Sequence, residues 1–363
     1  MKHLYVSAIP LILLAGTATA DDYPTVDFGG RLMLDAAKYF EDITPLDSGV
    51  EVRRARLFAK GNLAADWKYK LQFDFAGGDA ELKDGYIQYT GFDKGTVTIG
   101  NFKQFYSLEE LTSSKYITFM ERGLTVGIAE GRRTGVGYLY SGGNFTVGVS
   151  AFTDEANGEV KGSGLSGRAT WLPYHNESSL LHLGFQVKPQ NPDSDTIRVR
   201  SRPEAHVDDT RFLDTGPITG VNDTFTYGPE FAWVAGPFSL QGEYAIGDIN
   251  RENQPDLSFS GGYLYASYFL TGESRNYNSK NASFGRVKPA SDRGAWEIAG
   301  RVSSLDLTDK DIMGGSGEGY TFGVNYYATS HLRFMANYVV TDLDEVSGGD
   351  SPEILQVRMS YDF

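Results

Sequence analysis

The feature that most constrains how this chain can fold is a period-two alternation of apolar and charged residues, clearest over residues 66–75. The apolar face is Trp67, Tyr69, Leu71, Phe73 and Phe75, and the polar face is Lys68, Lys70, Gln72 and Asp74. Such alternation indicates a β-strand with different surroundings on its two faces. Strands of a soluble sandwich also alternate, but fully charged residues opposite an aromatic-rich face suit a strand with lipid outside and water inside.

The final segment of the chain repeats this pattern up to its last residue. Its apolar face is Leu355, Val357, Met359, Tyr361 and Phe363, and polar side chains alternate with them. A strand whose apolar face ends on a terminal aromatic residue is similar to the last strand of bacterial outer-membrane barrels.

About sixteen segments share this alternation. They lie near residues 24–40, 50–64, 66–77, 80–92, 94–101, 132–142, 144–155, 163–174, 179–190, 223–235, 237–249, 258–272, 292–304, 317–328, 331–342 and 353–363. An even number of strands returns both chain ends to the same side of a membrane, as bacterial barrels require. The sequence therefore predicts an all-β fold, a 16-stranded antiparallel transmembrane β-barrel formed by residues 21–363 as one domain.

The connections between these segments differ in length. Short ones at Ala65, Gly142-Gly143 and Ala235-Gly236 are typical of periplasmic turns, whereas long ones are typical of extracellular loops. Long loops are predicted at residues 102–131, 155–162, 191–222, 305–316 and 343–352. Residues 273–291 break this rule, because they are long but fall on the turn side.

The first twenty residues have the composition of a secretory signal peptide. A short basic start precedes the apolar stretch from Leu4 to Ala15, and small residues lead to Ala20, after which we expect cleavage. The apolar run is shorter than the roughly 18–20 residues that a membrane anchor needs. Cysteine is absent, so the exported chain must hold its fold without disulfides, which a closed barrel without free strand edges can do.

The net charge of −14 argues against nucleic acid as a partner, although basic residues cluster locally. At strand spacing, Arg198, Arg200 and Arg202 project to one side and offer successive bidentate sites to a phosphate or carboxylate moving along a path. An exposed strand end that pairs with nearby acids explains the same row equally well. Those acids are Glu204, Asp208 and Asp209.

Two further groups of basic residues are candidates for a binding role. Arg31 and Arg54 lie opposite the apolar faces of their strands, and a cation facing lipid costs roughly 2–4 kcal/mol, so they are predicted to face the lumen. There they either pair with lumenal carboxylates or attract anions. The second group is Arg275, Lys280, Arg286, Lys288 and Arg293. It forms either a basic patch that concentrates anions at one mouth or a solvated turn.

Motifs for catalysis or cofactor binding are not found. The five histidines show no His-Glu-x-x-His spacing, and the chain has neither a Gly-x-Ser-x-Gly elbow nor a phosphate-binding glycine loop. Asp309 to Gly314 is similar to the start of a calcium loop, but Met313 and Tyr320 occupy ligand positions. The sequence therefore predicts neither an enzyme nor a cofactor or metal site, although barrel hydrolases with widely separated catalytic residues are a remote alternative.

Several runs resemble the phosphate-selective porin O and P family over almost the whole chain. They are Gly100-Asn-Phe-Lys-Gln104, Ser107-Leu-Glu-Glu-Leu-Thr-Ser113, Phe119-Met-Glu-Arg122, Arg202-Pro-Glu-Ala205, Gly236-Pro-Phe-Ser-Leu-Gln-Gly-Glu-Tyr244, Tyr268-Phe-Leu-Thr-Gly-Glu-Ser-Arg275 and Phe284-Gly-Arg-Val-Lys-Pro289. The resemblance implies a homotrimeric outer-membrane porin that conducts anions, with the third loop folded into the lumen and narrowing it.

The resemblance also implies roles for individual residues. Arg122 is expected at the constriction with Lys115 on the same loop, and Asp84 is expected as their acidic partner. Arg31 and Arg54 are expected on the wall beside them. The remaining assignments are an arginine ladder of Arg198, Arg200 and Arg202, and a lower cluster of Lys280 and Lys288. The same loop carries Glu109, Glu110 and Glu121, whose pairing decides how much positive charge the constriction presents.

Two functions are therefore carried forward. The first is passive diffusion of anions, with phosphate, pyrophosphate or polyphosphate as the expected solutes. The second is a general, weakly selective porin for small hydrophilic solutes. In both, the expected surroundings are outer-membrane lipid and lipopolysaccharide.

Overall fold

The computed structural model describes residues 23–128, 131–158 and 161–363, so the predicted signal peptide lies outside the described residues. Sixteen strands, numbered β1 to β16 in chain order, form one sheet. They are Asp27–Phe40, Gly49–Ala64, Trp67–Asp74, Glu81–Tyr89, Gly95–Lys103, Arg132–Gly142, Phe145–Phe152, Ser163–His175, Ser179–Asn191, Val221–Ala235, Phe238–Arg251, Leu257–Phe269, Ala295–Asp309, Ile312–Tyr327, Leu332–Leu343 and Glu353–Asp362.

The sheet closes on itself. Each strand pairs antiparallel with its neighbours in sequence, and β1 pairs with β16 from Arg31 opposite Asp362 to Phe40 opposite Glu353. The predicted 16-stranded antiparallel barrel is thus confirmed, and each of the predicted segments overlaps one strand. Closure pairs the backbone donors and acceptors along both edges of every strand, which a sheet in lipid requires.

The barrel has its apolar side chains outside and its charged side chains inside. Along β1, Leu32 and Leu34 are 36% and 38% exposed, whereas Arg31 and Asp35 are only 8% and 5% exposed. A soluble protein shows the opposite arrangement. The alternation therefore has the orientation that the sequence predicts, with charged and polar side chains in the interior and an apolar outer surface suited to lipid.

Outward-facing aromatic rings form contacts near the turn end of the barrel. Trp296 and Tyr326 stack with ring centroids 4.6 Å apart, and Trp67 lies 5.0 Å from Tyr89. Tyr361 stacks on Phe363, the terminal aromatic residue. Rings with an apolar body and a polar tip are typical of a membrane–water boundary.

A β-bulge in β2 changes the direction of one side chain. Met33 pairs with Arg54 and Leu34 pairs with Val52, so Arg53 is an extra residue without a partner on β1. Strict alternation would place consecutive residues on opposite faces. Because the bulge inserts one residue, both Arg53 and Arg54 reach interior partners.

One predicted connection is wrong. Residues 305–316 were expected to form a long loop, but β13 continues to Asp309 and β14 begins at Ile312, which leaves a turn at Lys310 and Asp311. The reason is that Leu305 and Leu307 are buried against Leu213 and Ile218, which belong to the connection of residues 192–220, here named the outer loop. Apolar inward residues at this end are covered by protein rather than by water.

Helical structure is confined to short turns in the part of the chain that is described. They are the α-helix Leu108–Leu111 and the 3-10 turns Leu124–Gly127 and Glu345–Ser347. No helix of these residues is long and apolar enough to cross a membrane.

Candidate pore constriction

The connection between β5 and β6, described as residues 104–128 and named here the inner loop, begins with a helical turn held by the barrel wall. Ser107 caps this turn, and its Oγ accepts a hydrogen bond from the Glu110 backbone N–H at 3.1 Å. The Glu243 carboxylate of β11 accepts from the backbone N–H groups of Leu108 and Glu109, at 3.1 and 2.6 Å. These contacts satisfy N–H groups that the start of a helix leaves without partners.

The middle of the inner loop is fixed by two side chains of β15. The Arg333 guanidinium donates to the carbonyls of Ile117 and Thr118 at 2.7 and 2.8 Å. The Asn337 side-chain oxygen accepts from the Met120 N–H at 3.0 Å. These bonds are made to main-chain atoms, so they fix the path of the loop regardless of its side chains.

Glu121 fixes the last part of the inner loop to three arginines. Arg53 and Arg358 lie 2.8 and 2.7 Å from its carboxylate, and Arg54 lies 3.8 Å away. Burial raises the pKa of Glu121, but the three guanidinium groups outweigh it and hold that pKa well below its usual range. Glu121 is therefore ionised and is used for anchoring the loop to the wall.

These partners lie all round the barrel. The inner loop contacts β9 and β11 through Gln186 and Glu243, and β15 and β16 through Arg333 and Arg358. On β14, the Asn325 side chain donates to the Thr118 carbonyl at 3.0 Å. On β1, Arg31 donates to Ser114 Oγ at 2.6 Å. A segment that bonds inward side chains on opposite parts of a closed barrel crosses its interior. The inner loop therefore narrows the lumen.

The long connection predicted on the turn side is present as residues 270–294, named here the turn-side insertion. Its small hairpin pairs Tyr277 with Phe284 and packs against Leu108 of the inner loop and the inner faces of β8 to β10. The Phe284 N–H donates to Thr112 Oγ1 at 3.3 Å. The inner loop and this insertion together fill one side of the barrel.

A cavity of about 680 Å³ remains between the inner loop and the wall formed by β1 to β6. Ten basic residues line it: Arg31, Arg54, Arg56, Lys68, Lys70, Lys94, Lys103, Arg122, Arg132 and Lys280. Three acidic residues line it: Asp84, Asp93 and Glu110. The chain as a whole is acidic, so the open part of the lumen has the opposite charge balance to the rest of the molecule.

The lining acids pair with some of these cations. Asp84 accepts from Arg132 at 2.6 Å and also binds Lys70. Glu110 lies 3.0 Å from both Lys103 and Arg122.

Within the described chain, no group of three or more acidic or histidine side chains is arranged to hold a metal ion.

The structure brings together five of the predicted site residues, since Arg31, Arg54, Asp84, Arg122 and Lys280 all line this cavity. Arg122 is also a structural residue of the loop. Its guanidinium donates to the carbonyls of Glu109, Glu110 and Thr112 at 3.2–3.4 Å, at the end of the short helical turn.

Two predicted lysines do not line the cavity. Lys115 lies on the inner loop as expected, but its ammonium is 3.0 Å from Asp362 of β16 and it lies over the Tyr116 ring. Lys288 is exposed on the turn-side insertion.

The three arginines predicted as a ladder lie in the outer loop. Arg198 forms a bidentate pair with Asp214, and Arg202 binds Asp209, while Arg200 is exposed. The hydrogen bond from Arg198 lowers the pKa of Asp214. Two of the three positive charges are thus compensated by acids of the same loop.

Sequence reasoning did not assign Lys70, Lys103 or Arg132 to the site. Lys103 and Arg132 are directly opposite each other at the two ends of the inner loop. A signal was available for Lys70, because it lies on the polar face of the segment with the clearest alternation. For Lys103 and Arg132 the signal was their position, since they flank the loop that the resemblance places in the lumen.

Replacing Asp84 by Asn is expected to raise the anion-to-cation permeability ratio about threefold, because one negative charge is removed from beside the path at a separation of several ångströms in water. Lys70 and Arg132 would each lose a partner but remain beside the water-filled cavity, which solvates them. Reversal potentials in a potassium chloride gradient measure the ratio. An unchanged ratio, or a more cation-permeable channel, would contradict the assigned position of Asp84.

A closed barrel with an apolar outer face, a charged lumen and a loop that narrows this lumen defines a transmembrane barrel of the porin class. The chain belongs to the family described as phosphate-selective porin O and P, which it matches over residues 26–363. The resemblance of the sequence motifs is thereby confirmed, and the protein is an outer-membrane porin.

Comparison with individual proteins agrees with this assignment. The chain is 28% identical to Porin O of Pseudomonas aeruginosa over 396 aligned residues, which cover 95% of this chain and 90% of that protein. Among solved structures, an anion-selective porin from Comamonas acidovorans aligns with a TM-score of 0.59 and 15% identity over 93% of this chain and 99% of that chain. OmpT of Vibrio cholerae, solved in a trimer form, aligns with a TM-score of 0.58 and 15% identity, again over 93% and 99%. At these identities the two structures support the fold alone.

Proposed function

We propose that this porin conducts small anions by passive diffusion, with phosphate, pyrophosphate or polyphosphate as its solutes. The observation that carries this proposal is the cavity beside the inner loop, which ten basic and three acidic residues line. A lumen with this charge balance raises the local concentration of anions and lowers that of cations. The description of the family, phosphate-selective porin O and P, supports the same class of solute.

The arrangement favours exchange of an anion between several shallow sites. Arg31 donates to the neutral Ser114 hydroxyl at 2.6 Å and makes no salt bridge with any described residue, so its charge is available to a solute. Lys68, Lys94 and Lys280 also line the cavity. A guanidinium binds phosphate through two parallel hydrogen bonds, and an ammonium binds it as a point charge. Neighbouring sites of similar strength let an anion leave as readily as it arrives.

The overall charge of −14 does not oppose this proposal, because acidic residues are concentrated away from the cavity. Residues 41–48 and 344–352 each contain three Asp or Glu and no Lys or Arg, and both connections lie at the loop end of the barrel. The glutamates of the inner loop are also largely used for anchoring. Glu121 is bound to three arginines, and Glu109 lies 3.5 Å from Arg301.

A second candidate function is a weakly selective porin for small hydrophilic solutes. It is favoured by the paired state of several lining cations, since Lys70, Arg132, Lys103 and Arg122 have carboxylate partners. In either case the family and the fold indicate a channel rather than an enzyme.

The assembly that we propose is a homotrimer, with the loop end outside the cell. An apolar groove on the outer face crosses β1, β2 and β13 to β16, where Val52, Trp296, Phe334 and Met359 line it. A matching surface on a second copy would remove these side chains from lipid. Cross-linking of the porin in outer membranes, followed by electrophoresis without heating, should show a trimer; a monomer alone would contradict the proposal.

The decisive experiment on function is planar-bilayer recording from the purified porin. We expect a reversal potential in a chloride gradient that shows anion preference, and chloride current that falls when phosphate is added, because phosphate occupies the cation-lined cavity. The preference should weaken as salt rises, since the Debye length falls from about 10 Å at 0.1 M to about 3 Å at 1 M. A cation-selective reversal potential would contradict anion diffusion, and anion preference without phosphate block would favour the second candidate.

A further inference from the structure

One part of the cavity lining is apolar, although the lumen of such a barrel is ordinarily polar. Phe105 and Leu111 of the inner loop and Leu139 of β6 are half-buried and line the same cavity as the ten basic residues. Phe102 of β5 lies behind Phe105, with ring centroids 6.2 Å apart and planes inclined by 56°. We name these four residues the apolar shelf.

Two glycines on the inner wall create the space for the shelf. A Cβ atom at Gly137 would lie 2.8 Å from the Phe105 ring and 2.9 Å from the Phe102 ring, and one at Gly148 would lie 2.5 Å from Phe105. Contacts this close do not occur, so any other residue would displace the rings. The main chain of Phe105 is fixed as well, because its N–H donates to Ser166 Oγ at 3.1 Å. The rings therefore have a defined place against the wall.

The shelf lies between two groups of cations. Lys103 and Arg132 are opposite each other on β5 and β6, and Leu139 is opposite Thr96, close to the turn that contains Lys94. Seven residues separate Arg132 from Leu139 along β6, which is about 23 Å at the rise of a strand. A solute that crosses the cavity thus meets positive charge, then an apolar surface, then positive charge again.

We infer that the cavity takes organic anions with an aromatic ring, such as small aromatic monocarboxylates, in addition to inorganic anions. This inference rests on the proposed anion diffusion, because the cations supply the attraction for the carboxylate. The apolar shelf supplies the attraction for the ring, since a ring that leaves water to lie against Phe105, Leu111 and Leu139 gains hydrophobic and ring–ring contact. Phosphate and chloride gain nothing from the same surface.

The test compares benzoate with acetate, which carries the same charged group without a ring. Each is added to the full-length porin in a planar bilayer, and the concentration that halves the chloride current is measured. In the natural protein we expect benzoate to act at a concentration about fivefold lower than acetate, a difference typical of one aromatic contact. Equal values for the two anions would overturn the inference.

Two variants locate the effect. Phe105→Ser and Leu139→Ser are each expected to remove most of the difference between benzoate and acetate while leaving acetate and phosphate unchanged. Thr98→Ser is the matched control, because Thr98 lines the same wall but adds no ring or aliphatic side chain to the shelf. If Phe105→Ser does not assemble, Leu139→Ser alone decides, since it alters the wall and not the inner loop.

The outcomes separate this inference from the proposed function. Two results would overturn the aromatic-anion inference only. In one, the channel is anion-selective but benzoate and acetate act alike. In the other, the channel is anion-selective and both variants keep the full benzoate effect. Cation selectivity overturns the proposed function and, with it, this inference.

Discussion

Reversing the charges of Arg31 and Lys280 together is expected to lower the anion-to-cation permeability ratio about tenfold or more, because the change removes two positive and adds two negative charges beside one narrow path. Both residues line the cavity, and neither makes a salt bridge with a described residue. Arg31→Glu/Lys280→Glu therefore acts on the charges most available to a solute. Reversal potentials in a potassium chloride gradient measure the effect.

The matched control is Arg198→Glu/Lys310→Glu, which changes the net charge of the chain by the same amount. Both of these residues are at the loop end, exposed, and paired with aspartates. Exposed pairs of this kind contribute little and are screened by salt, so we expect a change of less than about twofold at 0.1 M salt. A control as effective as the cavity variant would show that selectivity comes from the total charge and not from the cavity.

Replacing Arg358 by Leu is expected to release the inner loop and to widen the pore. The Arg358 guanidinium binds both oxygens of Asp35 at 2.7 and 2.6 Å, lies 2.7 Å from Glu121, and donates to the Met120 carbonyl. It is only 2% exposed. Removing one member of a buried network leaves charges without partners and costs about 3–5 kcal/mol. We expect larger and noisier single-channel currents and a lower temperature of unfolding.

Asp35→Asn/Arg358→Leu separates the two causes of this effect. It removes the acid that the single variant leaves unpaired, so part of the lost stability should return. The inner loop should stay loose, because its contacts with Arg358 are still missing. If Arg358→Leu keeps the natural conductance and noise, then the bonds to Met120 and Glu121 do not hold the constriction.

The strands could be predicted from the sequence because their two faces contact unlike surroundings. Where one face contacts lipid and the other contacts water, as at Trp67 and Lys68, the alternation is unmistakable and indicates both the strand and its orientation. The prediction was wrong at residues 305–316, where protein covers the inner face. There Leu305 and Leu307 face inward against the outer loop, and an apolar residue on the inside removes the contrast on which the prediction depends.

The candidate site could be predicted in its location but not in its pairing. The path of the inner loop depends on long-range bonds such as those from Arg333 and Arg358, and nothing near Ile117 or Met120 in the sequence indicates them. The β-bulge at Arg53 depends likewise on the pairing of β1 with β2. For the same reason the partner of Lys115, which is Asp362 on the last strand, was not foreseen. The contacts of Arg333, Arg358 and Lys115 join residues more than 200 positions apart, and only the finished barrel offsets their cost in chain entropy.

The seam between β1 and β16 has a consequence for how the porin is made. Residues such as Arg31 and Asp362 are partners in the sheet, so the first strand keeps an open edge until the last one is available. That last strand also supplies Arg358, which holds Met120 and Glu121 of the inner loop. Closing the wall therefore also adds these anchors to the inner loop. An assembly intermediate that lacks β16 has two unpaired strand edges, which are prone to pair with other chains. It also lacks one of the anchors of the inner loop. The inner loop therefore has its full set of anchors only in the closed barrel.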